Sequence, residues 1–279
     1  MDMAREAMLE MLRLQIEWGA DEALLDAPQD RRAVARVVAP VMSRPALVPP
    51  ALVPPALVSP ALIPQPVLAV GRMDINGAAA AELAAACHDL SALRAALEGF
   101  TACSLRETAT QLVFADGAED ARLMIIGEAP GAEEDRSGRP FVGPAGQLLD
   151  KMLASIGLDR TWVRIVNTVP WRPPGNRAPS EPEIAQCLPF LHRHIALIKP
   201  DFLLLLGGVA SKAMTGESQG IKRLRGRWLH LSIPGLAAPL PALPSYHPAY
   251  LLRSPSAKRE SWIDLLTVRA SLEAGINPI

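Results

Sequence analysis

LMIIGEAPGAEEDRSGRPFVG, residues 123–143, decides the fold of this chain. Leu123-Met124-Ile125-Ile126 is a short apolar run closed by glycine, the pattern of a strand buried on both faces. Leu148, Leu149, Met152, Leu153 and Ile156 then recur at helical spacing, and Gly157 suits the end of that helix. Strand, loop and helix in this order build a parallel sheet, whose chemistry collects in the loops at the carboxyl ends of its strands. The loop 127–143 carries four acidic residues, two prolines that stiffen the backbone, and Phe141, a composition suited to holding something flat and polar.

Outward from this unit the alternation continues. Strands are expected at 122–126, 163–167, 202–206 and 242–247. Between the second and third lies a helix whose start is marked by Ser180 and Glu183, a capping-box pair. Ile184, Leu188, Leu191, Ile195 and Ile198 form its inner face, and Lys199-Pro200 ends it. The fold class read from this is α/β: a three-layer α/β/α sandwich around a central, mostly parallel four-stranded sheet. Before it, 78–97 reads as one or two helices rich in Ala and Leu. Residues 3–19 read as an amphipathic helix with Met8, Leu9, Leu12, Ile16 and Trp18 on one side. Residues 45–64 repeat PALVP, PALVP, PALVS, PALIP; a proline every five residues excludes helix and interior strand and leaves an extended, semi-rigid spacer. The expected organisation is a helical extension (1–40), a Pro-rich low-complexity linker (41–72) and a globular domain (73–279). The extension or the repeat can also serve a protein partner.

The 279 residues are 49% hydrophobic, enough for a core, and carry a net charge of −1. That charge hides an asymmetry: 1–99 holds 8 basic against 12 acidic residues, whereas 100–279 holds 20 against 17. Within 219–259 seven basic residues (Lys222, Arg223, Arg225, Arg227, Arg253, Lys258, Arg259) meet no acidic one, which suits either a polyanion or a solvated face. Three cysteines make no disulfide framework, and no run of 18 apolar residues lacks proline. The N-terminus shows no signal-peptide pattern, so a cytoplasmic protein is expected.

Two further loops stand out. NTVPWRPPGNRAP begins at Asn167, whose amide both donates and accepts and so can read a ring edge with adjacent C=O and N–H groups, or else cap the loop backbone. SYHPAYLL, 245–252, places His247 at a strand end beside Pro248, where it can donate to developing negative charge or serve the structure. GEAPG in the first loop matches neither a P-loop nor a dinucleotide fingerprint.

GEAPGAEED, GRPFVGPAGQLL, N-x3-WRPPGNRAPSEPEI, LLLLGGVA, LRGRW and HPAYLL, in that order, resemble the family 4 uracil-DNA glycosylases over roughly 100–266. The resemblance implies a bacterial repair enzyme, acting at the nucleoid, that flips uracil out of DNA and hydrolyses its N-glycosidic bond. It further implies that Phe141 stacks on uracil and Asn167 reads its polar edge. His247 would bond the O2 of the departing anion, and Glu128, Ala129 and Pro130 would line the pocket and position water. Leu251 would fill the gap left in the duplex, while Arg172, Arg177, Arg253, Lys258 and Arg259 would meet DNA. Glu128 and His247 are then the catalytic candidates.

The same family holds a [4Fe-4S] cluster on four cysteines, and here the pattern breaks. The corresponding positions are Phe100, Cys103, Trp171 and Cys187, and two thiolates do not complete such a ligand set. The expectation is therefore no cofactor and no metal, with the alternative that other ligands supplement Cys103 and Cys187. Two functional alternatives stay open. One is a protein that recognises uracil or lesions in DNA without cutting. The other is a covalent uracil trap, disfavoured because the loop PPGNRAP is short and lacks histidine.

Overall fold

The computed structural model describes residues 75–274; the readings at 1–40 and 41–72 lie outside them. Helices α1 (Ile75–Ala85), α2 (Leu90–Gly99) and the short α3 (Leu105–Thr108) precede β1 (Asp116–Gly117). Strand β2 (Leu123–Gly127) leads through α4 (Ala132–Ser137) and α5 (Pro144–Ala154) to β3 (Val163–Asn167), and α6 (Glu181–Ile198) leads to β4 (Phe202–Leu206). Then come α7 (Gly208–Thr215), α8 (Ile221–Leu224), β5 (Leu229–Leu231), β6 (Leu240–Ser245), α9 (Pro248–Arg253) and α10 (Lys258–Ala274).

The sheet order is β1-β3-β2-β4-β6-β5. The inner four strands are parallel, as expected, and β1 and β5 add antiparallel edges, so the sheet has six strands rather than four. The two edges are two and three residues long, too short to show a period-2 pattern, and Asp-Gly in β1 reads as a turn. The fourth strand also ends earlier than expected, at Ser245, so His247 lies past it as the N-cap of α9.

The apolar strands serve both faces. Leu123, Ile125, Phe202 and Leu204 pack with Leu149, Leu153, Leu265 and Val268 of α5 and α10. Met124, Ile126, Leu203 and Leu205 pack with Leu191 and Ile195 of α6 and with Ala210 and Met214 of α7. Each such side chain, fully buried, contributes about 1.5–3 kcal/mol, which is why continuous apolar strands belong in the middle layer. Local signals set the helix ends: the Glu183 carboxylate accepts from Ser180 N at 2.7 Å, and Asp89 Oδ1 accepts from Ala92 N at 2.7 Å. A third core joins α1, α2 and α3 to α6 through Ala80, Ala84, Leu93, Leu97, Leu105 and Phe190.

Candidate active site

Parallel strands put their carboxyl ends on one edge, so Gly127, Asn167 and the segment after Ser245 converge there. They border a cavity of about 450 Å³ lined by Glu128, Ala129, Pro130, Phe141, Asn167 and His247, with Arg177 and Arg253 at its margin. Residues from three loops, separated by more than a hundred positions, are thereby brought together.

The β2–β3 ladder continues past its formal end, since Thr168 N donates to Gly127 O and Val169 N to Glu128 O. This holds the Glu128 backbone, and burial raises its carboxyl above the ordinary range. Asn167 pairs in register with Gly127 and is buried, and its Oδ1 has no hydrogen-bond partner. An unsatisfied buried acceptor costs about 1–3 kcal/mol, a cost that a ligand N–H placed here would remove. Gly127 is glycine because a Cβ there would stand 2.4 Å from Asn167 Oδ1 and 2.5 Å from Phe141 Cζ.

Phe141 sits at φ 55, a left-handed conformation unusual for an aromatic residue. Its turn is braced by Glu134, whose Oε1 accepts from Val142 N and Gly143 N, both at 2.9 Å, while Oε2 accepts from Gly131 N at 3.0 Å. The first turn of α5 presses against the Phe141 carbonyl, which a Cβ on Gly146 would meet at 1.8 Å. The Phe141 ring faces His247, with centroids 5.5 Å apart and planes 29° from parallel.

His247 Nδ1 accepts from Ala249 N at 3.1 Å, so in the neutral ring the proton resides on Nε2, a donor. Burial, with Arg253 adding to it, holds the ring down at about 4, hence neutral at pH 7. The strand leading to it is anchored below, where Ser245 Oγ donates to the buried Asp264 at 2.6 Å and Arg225 pairs with the same carboxylate. Arg225 also lies over the Tyr246 ring at 5.4 Å, so this member of the basic stripe is committed inside the fold.

The remaining candidates divide. Arg253, Lys258 and Arg259 are exposed at the end of α9 and the start of α10. Arg177 is held by both oxygens of Glu183, at 2.6 and 2.9 Å, and that pairing keeps Glu183 down at about 2. Arg172 does not line the cavity; its Nε donates to Asn176 Oδ1 at 2.7 Å. Leu251 is 1% exposed, packed beneath α5 and α10, whereas Leu252 is 45% exposed. A six-residue helix has too few turns for its buried face to be phased from sequence. Glu134 and Tyr250 line the cavity although the motifs above give neither a role; a glutamate at the third position of α4, reaching back to the Gly131 N–H, is the local signal that points to the first.

The four positions that would hold an iron–sulfur cluster lie together in the third core. Cys103 and Cys187 are 3.9 Å apart between their sulfurs, but Phe100 and Trp171 fill the other two places as buried aromatics. Phe100 packs edge-to-face on Phe190, with centroids 5.0 Å apart. Among the described residues no three His, Cys, Asp or Glu side chains gather to hold a metal. The donor set does not fit a four-thiolate cluster. Among the same residues no helix is long and apolar enough to cross a membrane.

Residues 114–266 match the model of the uracil DNA glycosylase superfamily. The type-4 uracil-DNA glycosylase of Pyrobaculum aerophilum is 38% identical over 181 residues, 63% of this chain and 91% of that protein. That of Thermotoga maritima is 41% identical over 160 residues, 56% of this chain and 79% of its own length. A type-5 uracil-DNA glycosylase of Pyrobaculum aerophilum is 34% identical over 113 residues, 35% of this chain and 50% of that protein. With the ordered motifs, the mixed sheet with its parallel centre and a cavity built by the matching loops, the chain belongs to the uracil-DNA glycosylase superfamily, alongside its type-4 members.

Proposed function

We propose that this protein is a DNA-repair glycosylase that hydrolyses the N-glycosidic bond of uracil in DNA, releasing free uracil and leaving an abasic site. The observation that carries the reading is the unpartnered Asn167 Oδ1 in the same cavity as Phe141 and a neutral His247. Uracil offers an N3–H beside the C4 carbonyl, which Asn167 can meet with Oδ1 and Nδ2 respectively. Cytosine offers a bare N3 beside an amine, so both halves of the amide would be mismatched inside a buried site.

The chemistry asks little of the protein beyond placement. The C1′–N1 bond breaks and its electron pair leaves with the base as the uracil anion, whose charge spreads to O2. The Nε2–H of His247 donates to that oxygen without giving up its proton, a fixed dipole in a water-poor site. The sugar becomes cationic, and the Glu128 carboxylate stabilises it while orienting the water that adds at C1′. The water's spare proton passes to Glu128 or to solvent. Phe141 stacks on the flipped base. Leu252, exposed next to the cavity-facing Ala249 and Arg253 of α9, takes the place expected of Leu251 in filling the duplex. Arg253, Lys258 and Arg259 meet phosphates.

No step needs a metal. The packed aromatic core of Phe100, Trp171 and Phe190 stands where the cluster would be, and we read the chain as folding and acting without one. The test is cleavage of matched oligonucleotides containing a single uracil, cytosine or thymine, with abasic sites revealed by alkali. Discrimination against cytosine by about 10⁴-fold is expected of a site that reads the base by buried hydrogen bonds. Binding of uracil-containing DNA with no abasic product would instead identify a recognition protein.

A further inference from the structure

Arg160, in the turn between α5 and β3, does not line the cavity and belongs to none of the motifs above. Yet it holds the backbone from which the stacking ring projects. Its Nη1 donates to Pro140 O at 3.1 Å and its Nη2 donates to Phe141 O. The guanidinium is itself fixed by two carboxylates, Asp116 Oδ2 at 2.6 Å from Nη1 and Asp150 Oδ1 at 2.8 Å from Nε. Its side chain is four-fifths buried, 20% exposed.

The carbonyls on either side of the Phe141 Cα thus rest on Arg160, and the two following amides rest on Glu134. Such a clamp answers a specific need. A non-glycine residue at φ 55 costs of order 1–3 kcal/mol and persists only when its surroundings over-determine it. Relaxed toward ordinary backbone, Phe141 would swing its ring out of the position it shares with Asn167 and His247.

We propose that Arg160 is a positioning residue for base capture, acting through Phe141 and not by touching the substrate. The inference rests on the glycosylase reading above. Glu134 does the same from the amide side but also faces the cavity, so Arg160 gives the cleaner test.

The experiment is a double-mutant cycle on the full chain: wild type, Arg160→Met, Phe141→Leu and the double variant. Each is assayed for single-turnover uracil release and for affinity to uracil-containing DNA, with thermal melting alongside. Arg160→Met is expected to slow release about tenfold in the wild-type background and less than about twofold when Phe141 is already leucine. Arg160→Lys keeps a cation for Asp116 and Asp150 but lacks the planar fork, so it should recover melting temperature while leaving release slow. If Arg160→Met does not fold, the same cycle is run with Arg160→Lys. Equal losses in both backgrounds, or a folded variant that releases uracil at the wild-type rate, would overturn the proposal. A wild type that releases no uracil would overturn the glycosylase reading itself and the inference with it.

Discussion

Adding a single methyl group at Gly127 tests the site's geometry without replacing any side chain proposed to act. A Cβ at this position would lie 2.4 Å from Asn167 Oδ1 and 2.5 and 2.7 Å from two carbons of the Phe141 ring. Ordinary contacts are near 3.4–4 Å, so about 1 Å of displacement must be found. The backbone of Gly127 cannot supply it, being paired with Asn167 in the ladder and followed by the Thr168-to-Gly127 hydrogen bond. The amide or the ring must give way. Overpacking of this kind costs about 1–3 kcal/mol of stability. A 1 Å misplacement in a preorganised site costs about 10²-fold in rate. Gly127→Ala should therefore melt lower yet remain folded, and single-turnover release of uracil from an oligonucleotide should slow about 10²-fold. Gly99→Ala is the control: nothing lies within 4 Å of a Cβ there, and neither rate nor fold should suffer. A folded Gly127→Ala protein with wild-type release would refute the contact geometry from which the site is argued.

Other expectations concern charge and exposure. The His247 ring, held at about 4, should stay neutral through pH 5–8 by NMR titration; a midpoint near 6.5 would contradict its burial against Phe141. Because that folded value is depressed, His247 favours the fold above pH 6.5 and the benefit is lost as pH falls towards 4. Glu128 runs the other way: burial raises its folded value above 4.5, so its ionisation at neutral pH weakens the fold. Glu128→Gln should accordingly melt higher while releasing uracil more slowly, and wild-type release should fall as pH drops through that raised value. An unchanged rate would remove Glu128 from the chemistry. Leu251→Ala should cost about 2–5 kcal/mol in urea melts, as a buried leucine does. Leu252→Ala should leave stability alone and slow release from duplex more than from single-stranded DNA; the reverse pattern would restore the wedge to Leu251.

The inner sheet was legible because four short segments, each five or six residues long and mostly apolar, alternate with helical periods and punctuating glycines and prolines. The loops at their ends were legible too, since Glu128 follows a strand, Asn167 ends one and His247 lies two residues past another. What escaped is short or distant. Asp116–Gly117 and Leu229–Leu231 pair only because a neighbouring strand offers an open edge, which no local pattern announces. Arg160 sits 19 positions from the carbonyl it holds, and Asp264 likewise supports Ser245 from 19 residues away. Seven basic residues within 219–259, with no acidic one among them, suited a polyanion or a solvated face, yet Arg225 turns inward to Asp264. The missing cluster ligands could be read from Phe100 and Trp171, but only the fold brings them with Cys103 and Cys187 into a single dry core.

The most direct test of the account is to measure iron and uracil release on one preparation of the full-length protein, before and after exhaustive dialysis against a strong chelator. The account predicts robust release, iron far below the roughly four atoms per chain of a [4Fe-4S] protein, and the same rate and melting temperature after chelation. Near-stoichiometric iron, with its removal unfolding the protein or abolishing release, would contradict it.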